Sequence, residues 1–240
     1  SNPLTTGTPP SNSGVSAAQL NIIERNEKMK RFHGFSADTS KRILCDVGAI
    51  FKNYDITQSY ADNVKAGRRM GATQGGTTFA ANPQGRYIKV DSMPENTRGM
   101  YVIDEWKPTL AVKMLEQDSE NVKAALGAAA VSTQSIDAQQ YKKITPKDDF
   151  ADDDYIGNIT LATKIRGSKF PVLIVLENAI SFGGLSWSFT DKGETTSDIT
   201  FNGHYAIGEY DEVSDPPFAM YIPAEIDEAT AAAALQKAGA

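Results

Sequence analysis

Cysteine is nearly missing from this chain. Cys45 stands alone, which excludes an internal disulfide and any multi-cysteine zinc site. Histidine is almost as scarce: His33 and His204 have no Cys, Ser-Gly elbow or carboxylate arranged beside them as a catalytic triad requires. No run of ~18 apolar residues occurs, so no membrane-spanning helix and no membrane partner are expected. Charge is missing altogether from residues 1–20, which lack the basic start of a secretory signal and are rich in Ser, Thr, Pro and Gly. What remains is ordinary globular composition. The 240 residues are 40% hydrophobic and 22% charged, enough for one large β domain or two small ones.

The net charge of −6 hides an asymmetry. Residues 1–113 hold 15 basic and 10 acidic residues, a net of +5. Residues 171–224 hold 1 basic and 8 acidic residues, a net of −7. Such a split is either chance on a solvated surface or the mark of opposed faces that associate head to tail. Complementary potentials of that kind steer encounter and fix register.

Along the chain, residues 1–35 read as a flexible arm with a helix over 17–35. Residues 36–224 read as a single β domain, and 225–240 as an Ala-rich tail. A strand is expected over 42–51, with Ile43, Cys45, Val47, Ala49 and Phe51 on one side. Residues 53–74 read as a long polar loop or extended hairpin. Further strands are expected over 86–91 and 100–115, where Leu110, Val112 and Met114 share a face. Residues 118–130 form the best compact helix, with Asp118 as cap and Val122, Ala125, Leu126 and Ala129 as the apolar stripe. Residues 132–150 read as a polar loop. Strands then follow over 155–166, 170–177, 179–189, 198–207 and 217–223. The fold expected is mainly β: an antiparallel β-sandwich or barrel with one flanking α-helix.

Motif tests return little chemistry. Gly71 and Gly76 have the spacing of a phosphate loop, but Thr77 stands where lysine is required, so a glycine-permitted turn is expected. Residues 148–154 pack five carboxylates into seven positions. Read as a calcium loop from Asp152, the run fails at Ile156 and at Thr163, so a solvated acidic loop is expected, with an adventitious cation site as the alternative. Cys45 is in phase with Ile43 and Val47 and reads as a buried, inert thiol. Asn158-Ile159-Thr160 matches a glycosylation acceptor by coincidence. The basic cluster Lys65, Arg68 and Arg69 lacks interleaved aromatics and reads as a solvated or subunit-contact loop. No constellation supports an enzyme, and no cofactor is expected.

One stretch is unusual. Residues 183–204 read GGLSWSFTDKGETTSDITFNGH. Alternation predicts a hairpin with Leu185, Trp187, Phe189, Ile199 and Phe201 on its core face. Ser186, Ser188, Thr190, Thr200 and Asn202 fall on the opposite face, where every side chain is short and neutral. Ile180 and Phe182 are apolar at even positions and Leu185 onward at odd ones. The phase switches across Gly183-Gly184, which calls for a bulge or kink.

LENAISFGGLSWSFTDKGETTSDITFNGHYA (residues 176–206) and the closing PPFAMYIPAE (216–225) resemble the C-terminal half of the major tail protein of long-tailed bacteriophages. Upstream, CDVGAIFKN (45–53), GATQGGTTF (71–79) and the acid-capped, Ala-rich helix of 118–130 occur in that family's order. The resemblance implies a tail-tube fold of the siphophage type, shared with contractile tails and type VI secretion tubes. It implies a structural virion subunit, made in the host cytoplasm, that assembles with itself into six-membered rings stacked head to tail. It also implies a tape-measure protein inside the tube, a tail terminator or distal tail protein at its ends, and DNA only as passing cargo. On that footing Ser186, Ser188, Thr190, Thr200 and Asn202 are expected to face the lumen, because a DNA conduit must avoid Lys and Arg. The arm and residues 54–69 would be ordered across neighbouring subunits on assembly. The competing expectation is a β-sandwich module on a virion or cell surface that grips a carbohydrate or receptor with exposed loop aromatics. Phe51, Phe79, Trp187, Phe189 and Phe201 lie in strand phase, which disfavours it.

Overall fold

A computed structural model describes residues 34–36, 38–189, 191–207, 212–213 and 215–224. The helix expected over 17–35 lies outside the described residues except at Gly34 and Phe35, which are not helical, and the tail from 225 lies outside them too. The chain divides into two units, residues 1–39 and 40–240. Of the first, the described part is a short turn in which the Ser36 N–H donates to Thr39 Oγ1 at 2.7 Å. All that follows concerns the second.

The second unit is mainly β, its strands antiparallel, with two α-helices among the described residues. Strand β1 (Leu44–Lys52) pairs with β7 (Ile156–Ile165), but its register shifts between Cys45 and Ala49. Asp46 and Gly48 take φ of 81° and 80° there. A Cβ on Gly48 would meet the Ala162 carbonyl oxygen at 2.7 Å, so the bulge needs glycine. The bulge corrects the expected one-sided face. Ile43 and Val47 are exposed and Cys45 is only half-buried, not buried as expected, whereas Ile50 and Phe51 are both fully buried, on opposite sides of the sheet.

Residues 53–74 are not a plain loop. Helix α1 (Tyr60–Lys65) is capped by Ser59, whose hydroxyl accepts from the Asp62 N–H at 3.2 Å, and strand β2 (Arg69–Gly71) pairs with β1. This segment is organised by a buried polar residue rather than by apolar periodicity. Asn63 is fully buried; its amide donates to the Asp55 and Ser59 carbonyls at 3.0 Å each and accepts from the Asp55 N–H at 2.9 Å. A six-residue helix held this way leaves no 3.6-residue pattern to read. Tyr54, Phe51 and Ala162 form a small second core beneath it, with Val64 packed on it.

The main sheet runs β2, β1, β7, β8 (Pro171–Ser181), β9 (Ser197–Asn202), β4 (Tyr101–Met114) and β3 (Thr73–Tyr87), with β10 (Phe218–Tyr221) also on β8. Strand β8 (Pro171–Ser181) is the pivot. One edge pairs with β7; the other pairs first with β10 at Leu173–Leu176 and then with β9 (Ser197–Asn202) at Ile180 and Ser181. The sheet is thereby folded over. Leu110, Val112 and Met114 of β4 (Tyr101–Met114) and Ile199 and Phe201 of β9 share one core with Ile50, Ile159, Leu161 and Leu176. Each such side chain contributes about 1.5–3 kcal/mol by leaving water. Strand β3 (Thr73–Tyr87) runs as one fifteen-residue strand through the region expected to hold a turn and a separate strand. Gly75 and Gly76 sit at φ 91° and 96° where its register shifts, so the would-be phosphate loop is a bulge.

Helix α2 (Ser119–Leu126) packs Val122 and Ala125 onto the core. The Asp118 carboxylate accepts from the Asn121 N–H at 2.7 Å, as its sequence position predicts. The helix stops short of residue 130 because Gly127 turns left-handed at φ 72°, where a Cβ would run into the Ser181 carbonyl oxygen. The expected loop over 132–150 is instead a two-stranded ribbon, β5 (Ala129–Ile136) and β6 (Gln139–Pro146). Asp137 and Ala138 turn it, both at positive φ, the primed geometry that matches strand twist. Beyond Ala129 the side chains of β5 are not buried on either face, so the ribbon leaves no apolar alternation in the sequence. No described helix is long and apolar enough to cross a membrane.

Candidate functional site

The anomalous stretch splits into two unlike halves. In the second, alternation holds. Ile199 and Phe201 are 1% and 0% exposed, while Thr200 is exposed and Asn202 half-buried on the outer face. In the first, the expected hairpin is corrected. Strand β8 ends at Ser181 and, among the described residues, no strand resumes before Ser197. Leu185 still packs against the core, but Trp187 is 40% exposed and Phe189 77% exposed, so neither belongs to the core face. Ser186 and Ser188 are exposed on an irregular segment and share no strand face with Thr200, and Thr190 lies outside the described residues. The physical reason lies in β8. Its second edge is taken by β10 and β9, so residues 185–189 cannot fold back as a hairpin onto β8. Gly183-Gly184 therefore ends a strand rather than kinking one, with Gly184 at φ 68°.

The outer face around Thr200 is wider than the sequence suggested. Directly opposed residues of antiparallel strands share a face. Thr200 opposes Ala111, which opposes Thr78; Asn202 opposes Thr109, which opposes Ala80. Below them Asn82 and Gln84 of β3 oppose Lys107 and Glu105. Between Lys113 and Asp198 at one end and Lys107 and Glu105 at the other, the face carries short neutral side chains from three strands. Thr78, Ala80, Asn82, Gln84, Thr109 and Ala111 escaped sequence reading because only the pairing register assigns them to one surface. The available signal was the buried phase of Leu110, Val112 and Met114, which puts Thr109 and Ala111 outside.

Each lysine on this face has a carboxylate beside it. Lys113 Nζ lies 3.6 Å from Asp198 Oδ2, and Lys107 Nζ 2.9 Å from Glu105 Oε1. Farther along the β3–β4 arm, Arg86 Nε lies 3.4 Å from Asp104 Oδ1 and Lys89 Nζ 3.8 Å from Glu95 Oε1. Exposed pairs like these add little stability, but they cancel local charge. The outer edge of β3 pairs with no other strand among the described residues. Toward the arm's tip Tyr87, Ile88, Val90, Met93, Tyr101, Val102 and Ile103 are all exposed.

The side chains of the basic cluster, expected to be a solvated or subunit-contact loop, do not share one partner within the chain. Arg68 turns inward, its Nη1 donating to Asn63 Oδ1 at 2.7 Å and lying 3.9 Å from Asp55 Oδ2. Lys65 reaches Asp62 at 3.5 Å. Arg69 is exposed on β2.

In the acidic run, Asp152–Asp154 form a 3-10 turn. Lys147 Nζ donates to the buried Asp154 Oδ1 at 2.8 Å and to Asp153 Oδ1 at 3.3 Å. Burial alone would raise the Asp154 carboxyl. The Lys147 ammonium and the Ala151 N–H, which donates at 3.0 Å, outweigh it and hold the group below the usual carboxylate range. Among the described residues, no group of three or more His, Cys, Asp or Glu side chains is placed to hold a metal ion. The Nδ1 of His204 faces the carbonyls of Asn202 and Asn178 at 3.0 and 3.3 Å, so it carries the proton.

No protein-family model matches the chain, and no curated protein is similar enough to be matched.

Proposed function

We propose that the chain is a structural subunit of a bacteriophage tail tube, non-catalytic and without cofactor, that assembles into stacked six-membered rings. The observation that carries this reading is the outer face of β9, β4 and β3. It is built from Thr78, Ala80, Asn82, Thr109, Ala111, Thr200 and Asn202, and its lysines sit beside carboxylates. Duplex DNA carries a negative charge per ~1.7 Å of axis and binds unpaired cations strongly. A wall of short neutral groups with cancelled charge lets it slide.

Two further features support assembly. The long edge of β3, which pairs with no other strand among the described residues, offers a ladder to a neighbouring copy, and such edges are otherwise a liability. The net of +5 early and −7 late suits a head-to-tail contact, which needs two different surfaces on one molecule. On this reading the partners are further copies of the chain, a tape-measure protein within the tube, terminator or distal proteins at its ends, and DNA in transit. The site of action is the virion.

Negative-stain electron microscopy of the purified protein tests the proposal: rings or tubes are expected, and dispersed monomers at high concentration would refute it. Thr200→Arg should permit assembly yet slow DNA ejection, and unchanged ejection kinetics would remove Thr200 from the lumen.

One observation favours a second reading, a β-rich surface module that binds a carbohydrate or receptor. Trp187 and Phe189, assigned to a core by alternation, are exposed on an irregular segment, as such a module requires. The same microscopy separates the two readings.

A further inference from the structure

Trp187 is exposed but not loose. Its indole N–H is shared between Ser197 Oγ at 2.6 Å and Gln117 Oε1 at 3.1 Å. Ser197 is buried at the start of β9, and its hydroxyl also donates to Gln117 Oε1, whose amide nitrogen donates to the Met114 carbonyl at 2.9 Å. The polar edge of the ring is therefore tied to the folded body while 40% of the residue stays in water. Phe189 stands edge-on to it, ring centres 6.2 Å apart at 71°. The Thr195 hydroxyl donates to the Ser188 carbonyl at 3.3 Å. A rigid aromatic ring presents contact area with little entropy left to lose on binding.

We propose that this ledge binds the apolar face of a neutral hexopyranose, stacked on the Trp187 indole and bordered by Phe189. The proposal goes beyond the tube reading, stands whether or not the chain assembles, and gives the module reading its ligand class. Three features select the ligand. The platform is one indole with a tilted neighbour, enough for one or two sugar rings and too small for a protein interface. Ser186 and Ser188, its neighbours in the chain, are exposed, and their hydroxyls suit a sugar's own. Asp198 is offset by Lys113, which leaves Asp191 and Glu194 against Lys192 on the surrounding stretch, a small negative excess that disfavours phosphates and acidic sugars.

The test uses the full chain with Trp106→Phe, which leaves Trp187 as the one tryptophan. Methyl β-glucoside, methyl β-galactoside and N-acetylglucosamine are titrated to ~100 mM, with glucuronate as the charged control, and read by tryptophan fluorescence and saturation-transfer NMR. A saturable change with at least one neutral sugar is expected, with glucuronate at least ~10-fold weaker. Trp187→Ala should abolish saturation transfer, and Phe189→Ala, which removes a highly exposed ring and spares the fold, should weaken it several-fold. Three results would overturn the proposal: no saturable response to any neutral sugar, equal binding of glucuronate, or a response that survives both substitutions. A change in particle size on Phe189→Ala without any sugar response would also overturn it, and would make the ledge a contact between copies.

Discussion

Two neighbouring stretches carry the same pattern and meet opposite fates. Leu185-Ser186-Trp187-Ser188-Phe189 and Ser197-Asp198-Ile199-Thr200-Phe201-Asn202 both alternate large apolar residues with small polar ones. The second is strand β9, with Ile199 and Phe201 sealed in the core. The first is irregular, with its two largest rings in water. Apolar content does not separate them, since the first is the richer. What separates them is a partner. Strand β9 has β4 along its length and the end of β8 on its other side, whereas residues 185–189 pair with no strand and the edge of β8 they follow is held by β10 and β9. Alternation shows that a segment could line a core; a free row of backbone donors and acceptors decides whether it does.

Substitutions can test the contrast. The largest effect is expected at Phe201→Ala, which opens a cavity among Leu110, Ile199 and their neighbours and should cost about 3–5 kcal/mol in urea unfolding. Ser197→Ala removes the hydroxyl that links the two stretches and takes one of the two acceptors from the Trp187 N–H. A loss of about 1–2 kcal/mol is expected, together with a red-shifted Trp187 emission as the ring loosens. A null result there would mean that the irregular stretch is held by something other than this hydroxyl.

A smaller effect, confined to acid, is expected from the ion pair behind the β5–β6 ribbon, another segment that lives outside the core. The Asp154 carboxyl is held low in the fold by Lys147 and the Ala151 N–H, so its ionised form stabilises the fold at neutral pH. That stability is lost as pH falls through and below the ordinary carboxylate range of about 4. The urea midpoint should therefore drop more steeply between about pH 5 and pH 2 in the wild type than in Asp154→Asn. The smallest effect belongs to Phe189→Ala, expected within about 0.5 kcal/mol because the ring is almost wholly exposed. A cost near that of Phe201→Ala would erase the contrast between the two stretches.

The same logic explains what could be read in the sequence. The β class, the Asp118-capped helix, the shared face of Leu110, Val112 and Met114, and the inward Ile199 and Phe201 all follow from local periodicity and caps. Features held by polar groups were hidden. Helix α1 rests on the buried Asn63 amide, and the β5–β6 ribbon carries polar side chains on both faces. Neither leaves an apolar pattern. The bulge at Asp46–Gly48 broke the apparent phase of β1, because one sequence pattern cannot show where a register slips.

By itself the sequence determined which residues are able to be buried, since hydrophobicity, β-branching and capping chemistry are properties of single residues and their near neighbours. It also determined the charge inventory that leaves one basic residue between 171 and 224. Only the tertiary structure decided which alternating segment obtained a partner strand. Only it gathered Thr78, Ala80, Thr109, Ala111, Thr200 and Asn202 from three strands into one neutral face. The reason is that strand pairing joins residues far apart in the chain, and the competition among segments for a limited number of open edges is settled by the whole fold.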